Sequence, residues 1–341
     1  MAASFEERPV AFEWRDDDHN TTTLMRGTLA VPPRRSRDAD AANADAQRPT
    51  PAVVLAHGYL STRDGIALFP RLAHRLAELS IASLRFDFRG AGETGGAARL
   101  GDYKSQARQL AAAARWLEQE GQGGDKFRVI GVLGHSKGAT SALLFAEEWA
   151  GAAAAERDSA PPPPPLRLVH LSGRFDLRQG LDRFFGTGQI ERLLKGEVDS
   201  LPVKSPEMVN KGRLSDYWVE YSLTAEGARE RFSVDVAGAA ARVGASGLVR
   251  TLVVHGDADR AVPCEDGRAV WKAVLEAEEA EEARAAEAEG AGTAAAGPAR
   301  AMMVELEGAD HNFTREEYAT AALDAIVPFF VAAMAAEADG G

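Results

Sequence analysis

Disulfide cross-links are the first thing this chain lacks. One cysteine, Cys264, occurs in 341 residues, so no intramolecular disulfide can form and the composition fits a reducing compartment. The lone thiol reads as a small buried hydrophobe. An excess of positive charge is missing as well: 39 Lys and Arg stand against 51 Asp and Glu, a net charge of −12. That balance repels nucleic acid and anionic membrane surfaces, and neither is expected as a partner. The opening MAASFEERPVAFEW carries acidic residues and no apolar core of leader length, which predicts no cleaved leader and a cytoplasmic location. Near the other end, the apolar segment Ala325 to Ala336 has only 12 residues and contains Pro328. At about 1.5 Å per residue it falls short of a bilayer core of about 30 Å, so it is expected to dock on the protein as a terminal helix. No internal repeat is visible.

What is present is enough apolar material for a sizeable core, 45% of residues. Apolar runs read as strands at Val10 to Trp14, Met25 to Val31, Ala52 to Ala56, Ile81 to Phe86, Phe127 to Leu133, Leu166 to Leu171, Thr251 to Val254 and Met302 to Leu306. The first two alternate and precede any helix, which predicts an antiparallel hairpin. The six from Ala52 onward do not alternate, as expected of strands covered on both faces. Between them, Phe69, Leu72, Leu76 and Leu79, then Leu110, Ala114 and Leu117, recur at helical spacing. The expected fold class is therefore α/β: a mostly parallel eight-stranded sheet with helices on both faces.

Three segments read as surface insertions: the polar Arg34 to Pro51, the pentaproline between Ala160 and Leu166, and the Ala/Glu-rich Glu276 to Arg300. Residues 176–247 are too long for an ordinary crossover. They are expected to form an inserted helical cap between two parts of the core, 1–175 and 248–341. Phe184, Phe185, Tyr217, Trp218, Tyr221 and Phe232 in that insertion either pack the cap on the core or line a pocket.

The most informative stretch is VIGVLGHSKGA, Val129 to Ala139. A serine on a tight turn between strand and helix needs neighbours nearly free of side chains two residues before and after, and Gly134 and Gly138 flank Ser136 in this way. The preceding run is a buried strand and the following ATSALLFAEEWA is a good helix, the setting that the pattern requires. A serine hydroxyl attacks only if a base takes its proton, and a carboxylate normally orients that base. With the order Ser, acid, His, the downstream histidines are His170, His255 and His311. His170 and His255 lie in strand-like runs and read as structural, whereas His311 sits in the loop EGADHNF. For the acid, VVHGDADRAVP offers Asp257 and Asp259, with Asp176 a third choice.

LAHGY (Leu55 to Tyr59), RFDFRGAGET (Arg85 to Thr94), GHSKGA (Gly134 to Ala139), VVHGDADRAVP (Val253 to Pro263) and EGADHNF (Glu307 to Phe313) together resemble the α/β-hydrolase family. The likeness is to its serine esterase and aminopeptidase-like branch, including cinnamoyl or feruloyl esterases and uncharacterised plant-type members. The resemblance covers the chain from about Val53 onward. It implies Ser136 as nucleophile, His311 as base and, by the pattern HGxxDxxVP, Asp259 as acid, leaving Asp257 a turn residue. It also implies an oxyanion hole from the backbone N–H groups of Lys137 and Tyr59. By the same resemblance His57, Asp87, Arg89 and Glu93 are structural. The Lys137 cation, unfavourably placed at a helix N-terminus, is expected to pair with a carboxylate or reach solvent. The implied activity is hydrolysis of a carboxylic ester, with no cofactor, no metal and no obligate protein partner. An aminopeptidase, a monoacylglycerol-lipase-like enzyme, an acyltransferase and a non-catalytic small-molecule receptor are the alternatives on the same fold.

Overall fold

Alternation decides the first hairpin. Val10, Phe12 and Trp14 are buried between exposed or half-buried neighbours, and β1 (Glu6–Asp16) pairs antiparallel with β2 (Thr21–Val31), Phe12 opposite Met25. In this computed structural model, residues 5–16, 20–33, 49–119, 125–156, 163–202, 222–288 and 301–338 are described. The chain continues through β3 (Thr50–Ala56), α1 (Leu68–Glu78), β4 (Ala82–Asp87), α2 (Tyr103–Gln119), β5 (Phe127–His135), α3 (Lys137–Ala155) and β6 (Leu166–Leu171). There follow α4 (Asp182–Phe185), α5 (Gln189–Leu194), β7 (Ser200–Pro202), β8 (Ser222–Thr224), α6 (Ala225–Phe232) and α7 (Val236–Ala245). The chain then returns to β9 (Val249–Gly256), α8 (Cys264–Ala288), β10 (Ala301–Leu306) and α9 (Glu316–Ala338).

Eight strands form one sheet in the order β1-β2-β4-β3-β5-β6-β9-β10. Pairs from β4 through β10 are parallel, while β2 meets β1 and β4 antiparallel. The fold is the α/β-hydrolase fold expected from the alternating strands and helices. Successive side chains on one strand point to opposite faces. Val54, Phe86, Val132 and Leu168 therefore join a core with α2, α3, α7 and α8, while Val53, Leu55, Val169 and Leu252 join a second core with α1 and α9. Each fully buried side chain of this kind contributes about 1.5–3 kcal/mol. This double covering is why the central strands read as unbroken apolar runs.

Some local expectations change. Leu79, grouped with the buried face of α1, caps that helix and is 42% exposed. Thr50 and Pro51, read as the end of a connector, are the first two residues of β3, and the Thr50 N–H donates to the Lys126 carbonyl at 2.7 Å. The start of the Ala/Glu run continues α8, and buried Glu278 accepts the Ala301 N–H at 3.0 Å at the edge of β10. Of the three segments read as insertions, residues 34–48, the first two prolines of the pentaproline (161 and 162) and residues 289–300 lie outside the described residues. By length and composition, the segment Glu316–Met334 of α9 could cross a membrane. Its Ala322, Ile326 and Phe330 are nonetheless fully buried against the sheet.

Between β6 and β9 the chain divides. Val236, Ala239, Ala240 and Val243 of α7 belong to the larger core. Leu181, Leu193, Leu201, Leu223 and Ala228 form a small separate cluster with Leu100. Tyr59, Phe185 and Phe232 pack against it.

Candidate active site

Ser136 sits between the last residue of β5 and the first of α3, with φ 55° and ψ −119°. A non-glycine residue rarely adopts positive φ, and holding it there costs about 1–3 kcal/mol. The neighbours explain how the turn stays this tight. A Cβ on residue 134 would overlap the Gly138 carbonyl oxygen, and one on residue 138 would overlap the Ala56 and His57 carbonyl oxygens. Any side chain at either glycine would push strand, turn and helix apart.

The loop after β10 carries His311 to this serine. Its Nδ1 lies 2.6 Å from Asp259 Oδ2 and its Nε2 lies 3.0 Å from Ser136 Oγ. The carboxylate only accepts, so Nδ1 holds the proton and Nε2 is left to accept from the Ser136 hydroxyl. Asp259 is fixed from its other side, where Oδ1 accepts the N–H groups of Ala261 at 2.7 Å and Val262 at 2.8 Å. Burial alone would raise the Asp259 carboxyl. Hydrogen bonds from His255, His311 and the Val262 N–H outweigh it and hold the group well below the ordinary carboxylate range. Such a chain of carboxylate, imidazole and hydroxyl is arranged to move a proton off the serine.

The other acid and base candidates are placed elsewhere. Asp257 Oδ1 accepts the Gly308 N–H at 2.6 Å, joining two loops, and Asp176 accepts from Arg178 and Gln179. Buried His170 touches neither Ser136 nor Asp259 by a hydrogen bond. His255 does more than fill space: its Nε2 lies 3.0 Å from the Val262 carbonyl and 3.3 Å from Asp259 Oδ2. His135, which the sequence did not single out, has its Nε2 2.8 Å from the His311 carbonyl and so fixes the backbone of that loop. Its place beside Ser136 in GHSKGA is the only sequence signal it gives.

Further residues hold the rim together. The Phe88 N–H donates to His57 Nε2 at 3.0 Å, so His57 Nδ1 carries the proton that it gives to the Gly58 carbonyl at 2.8 Å. Asp87 accepts the Arg63 N–H at 2.8 Å and the Glu93 N–H at 3.1 Å, and its carboxylate pairs with the Arg63 guanidinium, which also binds Glu93. Arg89 pairs with Asp16 at 2.7 Å. Lys137 turns its ammonium away from the serine into a buried pair with Asp102, with the Arg99 carbonyl 2.9 Å away. The N–H of Lys137 opens α3, where the first amides have no intrahelical acceptor. Gly58 brings the chain of Tyr59 alongside: a Cβ there would lie 3.1 Å from Ser136 Cβ.

Ser136 and His311 open into a cavity of about 510 Å³. Tyr59 and Phe184 line it together, ring centroids 5.9 Å apart. Tyr217, Trp218 and Tyr221 lie outside the described residues. Two further cavities, of about 540 and 610 Å³, are lined by none of Ser136, Asp259 and His311. Among the described residues, no group of three or more His, Cys, Asp or Glu is placed to hold a metal ion.

Comparison with known proteins agrees with this architecture. No curated protein matches the chain. Among solved structures, Est1E from Butyrivibrio proteoclasticus is similar at 18% identity and a TM-score of 0.57, over 95% of this chain and 99% of that one. The α/β-hydrolase GrgF from Penicillium sp. sh18 is similar at 17% identity and a TM-score of 0.60, over 96% of this chain and 99% of that one. An esterase domain from a Rhodothermus marinus protein gives 17% identity and a TM-score of 0.52, over 94% and 95% of the two chains. At such identities these likenesses speak for the fold. The family model described as serine aminopeptidase, S33, matches residues 47–282, more than half of the sequence; the chain belongs to that family of α/β-hydrolases.

Proposed function

We propose that the protein is a serine hydrolase that cleaves a carboxylic ester through an acyl-enzyme. The observation that carries this reading is the unbroken chain Ser136–His311–Asp259, with separations of 3.0 and 2.6 Å. Ser136 Oγ attacks the ester carbonyl as its proton passes to His311 Nε2, and the imidazolium is steadied by Asp259. The tetrahedral oxyanion is received by the N–H groups of Lys137 and Tyr59, each donor worth about 10²–10³ in rate. His311 then gives the proton to the leaving alkoxide. Water, activated by the same imidazole, attacks the acyl carbon and frees the acid and Ser136. The small apolar cluster built on Leu181, Leu193 and Leu223 acts in this reading as a cap beside the acyl cavity.

The family's description keeps an aminopeptidase as the second reading. Such an enzyme must seat a protonated α-amino group. The cavity lining includes Arg174, Arg183, Arg231 and Arg260, which supports an ester over that cationic substrate. Labelling with a fluorophosphonate tests the serine directly. Wild-type protein is expected to label, while Ser136→Ala does not and His311→Ala labels at least about 10³-fold more slowly. A panel of p-nitrophenyl esters and aminoacyl p-nitroanilides then separates the two readings. Faster turnover of the anilides would overturn the ester assignment, and an unlabelled wild type would overturn the serine hydrolase itself.

A further inference from the structure

The chain has a net charge of −12, yet the cavity at Ser136 is lined by Lys137, Arg174, Arg183, Arg231 and Arg260, with Asp310 the one lining carboxylate among the described residues. Part of this positive charge is answered from behind. Lys137 pairs with Asp102, and Arg174 lies 3.3 Å from Asp266. Asp310 is occupied in its own turn, where it accepts the N–H groups of Asn312 and Thr314 and the Thr314 hydroxyl.

Arg231 is different. It is 7% exposed, and its guanidinium donates to the Leu177 carbonyl at 2.6 Å and to the Tyr103 hydroxyl. Both acceptors are neutral, and no carboxylate among the described residues pairs with it. A buried cation is costly unless an anion answers it, and hydrogen bonds to neutral groups do so only in part. A mere tie between α6 and Tyr103 needs a donor, not a charge. Arg231 is also one of the residues that line the cavity. Its position relative to the serine is set by Tyr103, whose ring lies 5.5 Å from Arg231 Cζ and 5.2 Å from the Nζ of Lys137, the residue after Ser136. Arg183 and Arg260 extend the positive field to the exposed rim, where Arg183 Nη1 donates to the Arg260 carbonyl at 2.8 Å. Neither forms an ion pair among the described residues.

We propose that the substrate is an ester bearing a carboxylate on its acyl chain, and that Arg231 is the specificity-determining residue that receives this carboxylate in the cavity. This deepens the ester reading and rests on it. A guanidinium matches a carboxylate through paired N–H donors, and the low-dielectric site strengthens that pairing. The rim arginines draw the anion in against the charge of the whole chain.

Binding tests the anion site apart from turnover. In Ser136→Ala protein, N-phenylglutaramic acid is expected to bind at least about tenfold more tightly than the neutral N-phenylglutaramide by calorimetry at low salt, the scale of one charge-assisted pair. Adding Arg231→Gln should remove that preference, while Arg231→Lys should keep part of it. In the protein with Ser136 intact, mono-p-nitrophenyl glutarate should exceed p-nitrophenyl glutaramate in kcat/KM by a similar factor, and this ratio should collapse in Arg231→Gln. Equal binding of acid and amide overturns the proposal, even if Arg231→Gln cannot be folded. So does an undiminished preference in folded Arg231→Gln. If the acid binds more tightly but neither ester is hydrolysed, the ester reading falls and the anion site stands.

Discussion

His255 shares one N–H between the Val262 carbonyl and the Asp259 carboxylate, at 3.0 and 3.3 Å, and so steadies the group that steadies His311. Two substitutions separate these layers. Asp259→Asn should lower kcat on a short p-nitrophenyl ester by about 10⁴, because an amide N–H facing Nδ1 favours the wrong tautomer. Loss of a single supporting hydrogen bond is smaller: His255→Leu should lower kcat about tenfold at nearly constant KM. His255→Gln, which can still donate, should recover most of that loss. Equal losses in Leu and Gln variants would show that His255 only fills space. The sequence made the serine legible because its steric demand is local, two residues to either side in Gly134 and Gly138. The roles of His135 and His255 were not legible. His135 reaches a carbonyl 176 positions away, and residue type alone does not say which partner a buried imidazole finds.

Helices α2 and α3 are pinned together at the site by Lys137 and Asp102, whose side chains are only 5% and 8% exposed. Breaking a buried pair leaves one charge uncompensated, at a cost of about 3–5 kcal/mol. Lys137→Met should therefore lower the urea midpoint by that amount of stability. Lys137→Met combined with Asp102→Leu should regain much of it, since two apolar groups leave no orphaned charge. If both variants unfold at the same denaturant concentration, the pair is not what holds these elements. The sequence left open whether Lys137 meets a carboxylate or solvent, because Asp102 lies 35 positions earlier. Element identity itself was legible wherever both strand faces are covered, as in β3, β6 and β9. Less so was the segment between β6 and β9. The apolar spacing of Val236, Ala239, Ala240 and Val243 says that α7 has a buried face, but not that this face joins the main core instead of the small cluster around Leu193.

Over the whole molecule, net charge conceals local charge: Arg174, Arg183, Arg231 and Arg260 come from separate segments and meet only in the folded cavity. Titration at this scale is governed by histidines that folding removes from water. Burial, the largest influence on each, pushes His57 down and pushes His135 and His170 down to about 3. In the unfolded chain a histidine titrates near about 6.5. Below that pH the unfolded state binds protons that the folded state refuses. The stability these neutral histidines allow is therefore whole above pH of about 6.5 and is lost as pH falls toward 3. Glu148, Glu230 and Asp266, whose carboxyls are raised by partial desolvation, take up protons in the folded state and oppose part of this trend. A difference between variants removes that background. His170 is fully buried and neither ring nitrogen has a partner among the described residues, so His170→Met removes a titrating group without orphaning a hydrogen bond. From pH 6 to pH 4 the unfolding free energy of wild type should fall more steeply than that of the variant by about 1.4 kcal/mol per pH unit, the slope of one proton. Urea titrations at half-unit pH steps would measure it. Parallel curves would mean that His170 titrates alike in both states and that its burial does not govern its charge.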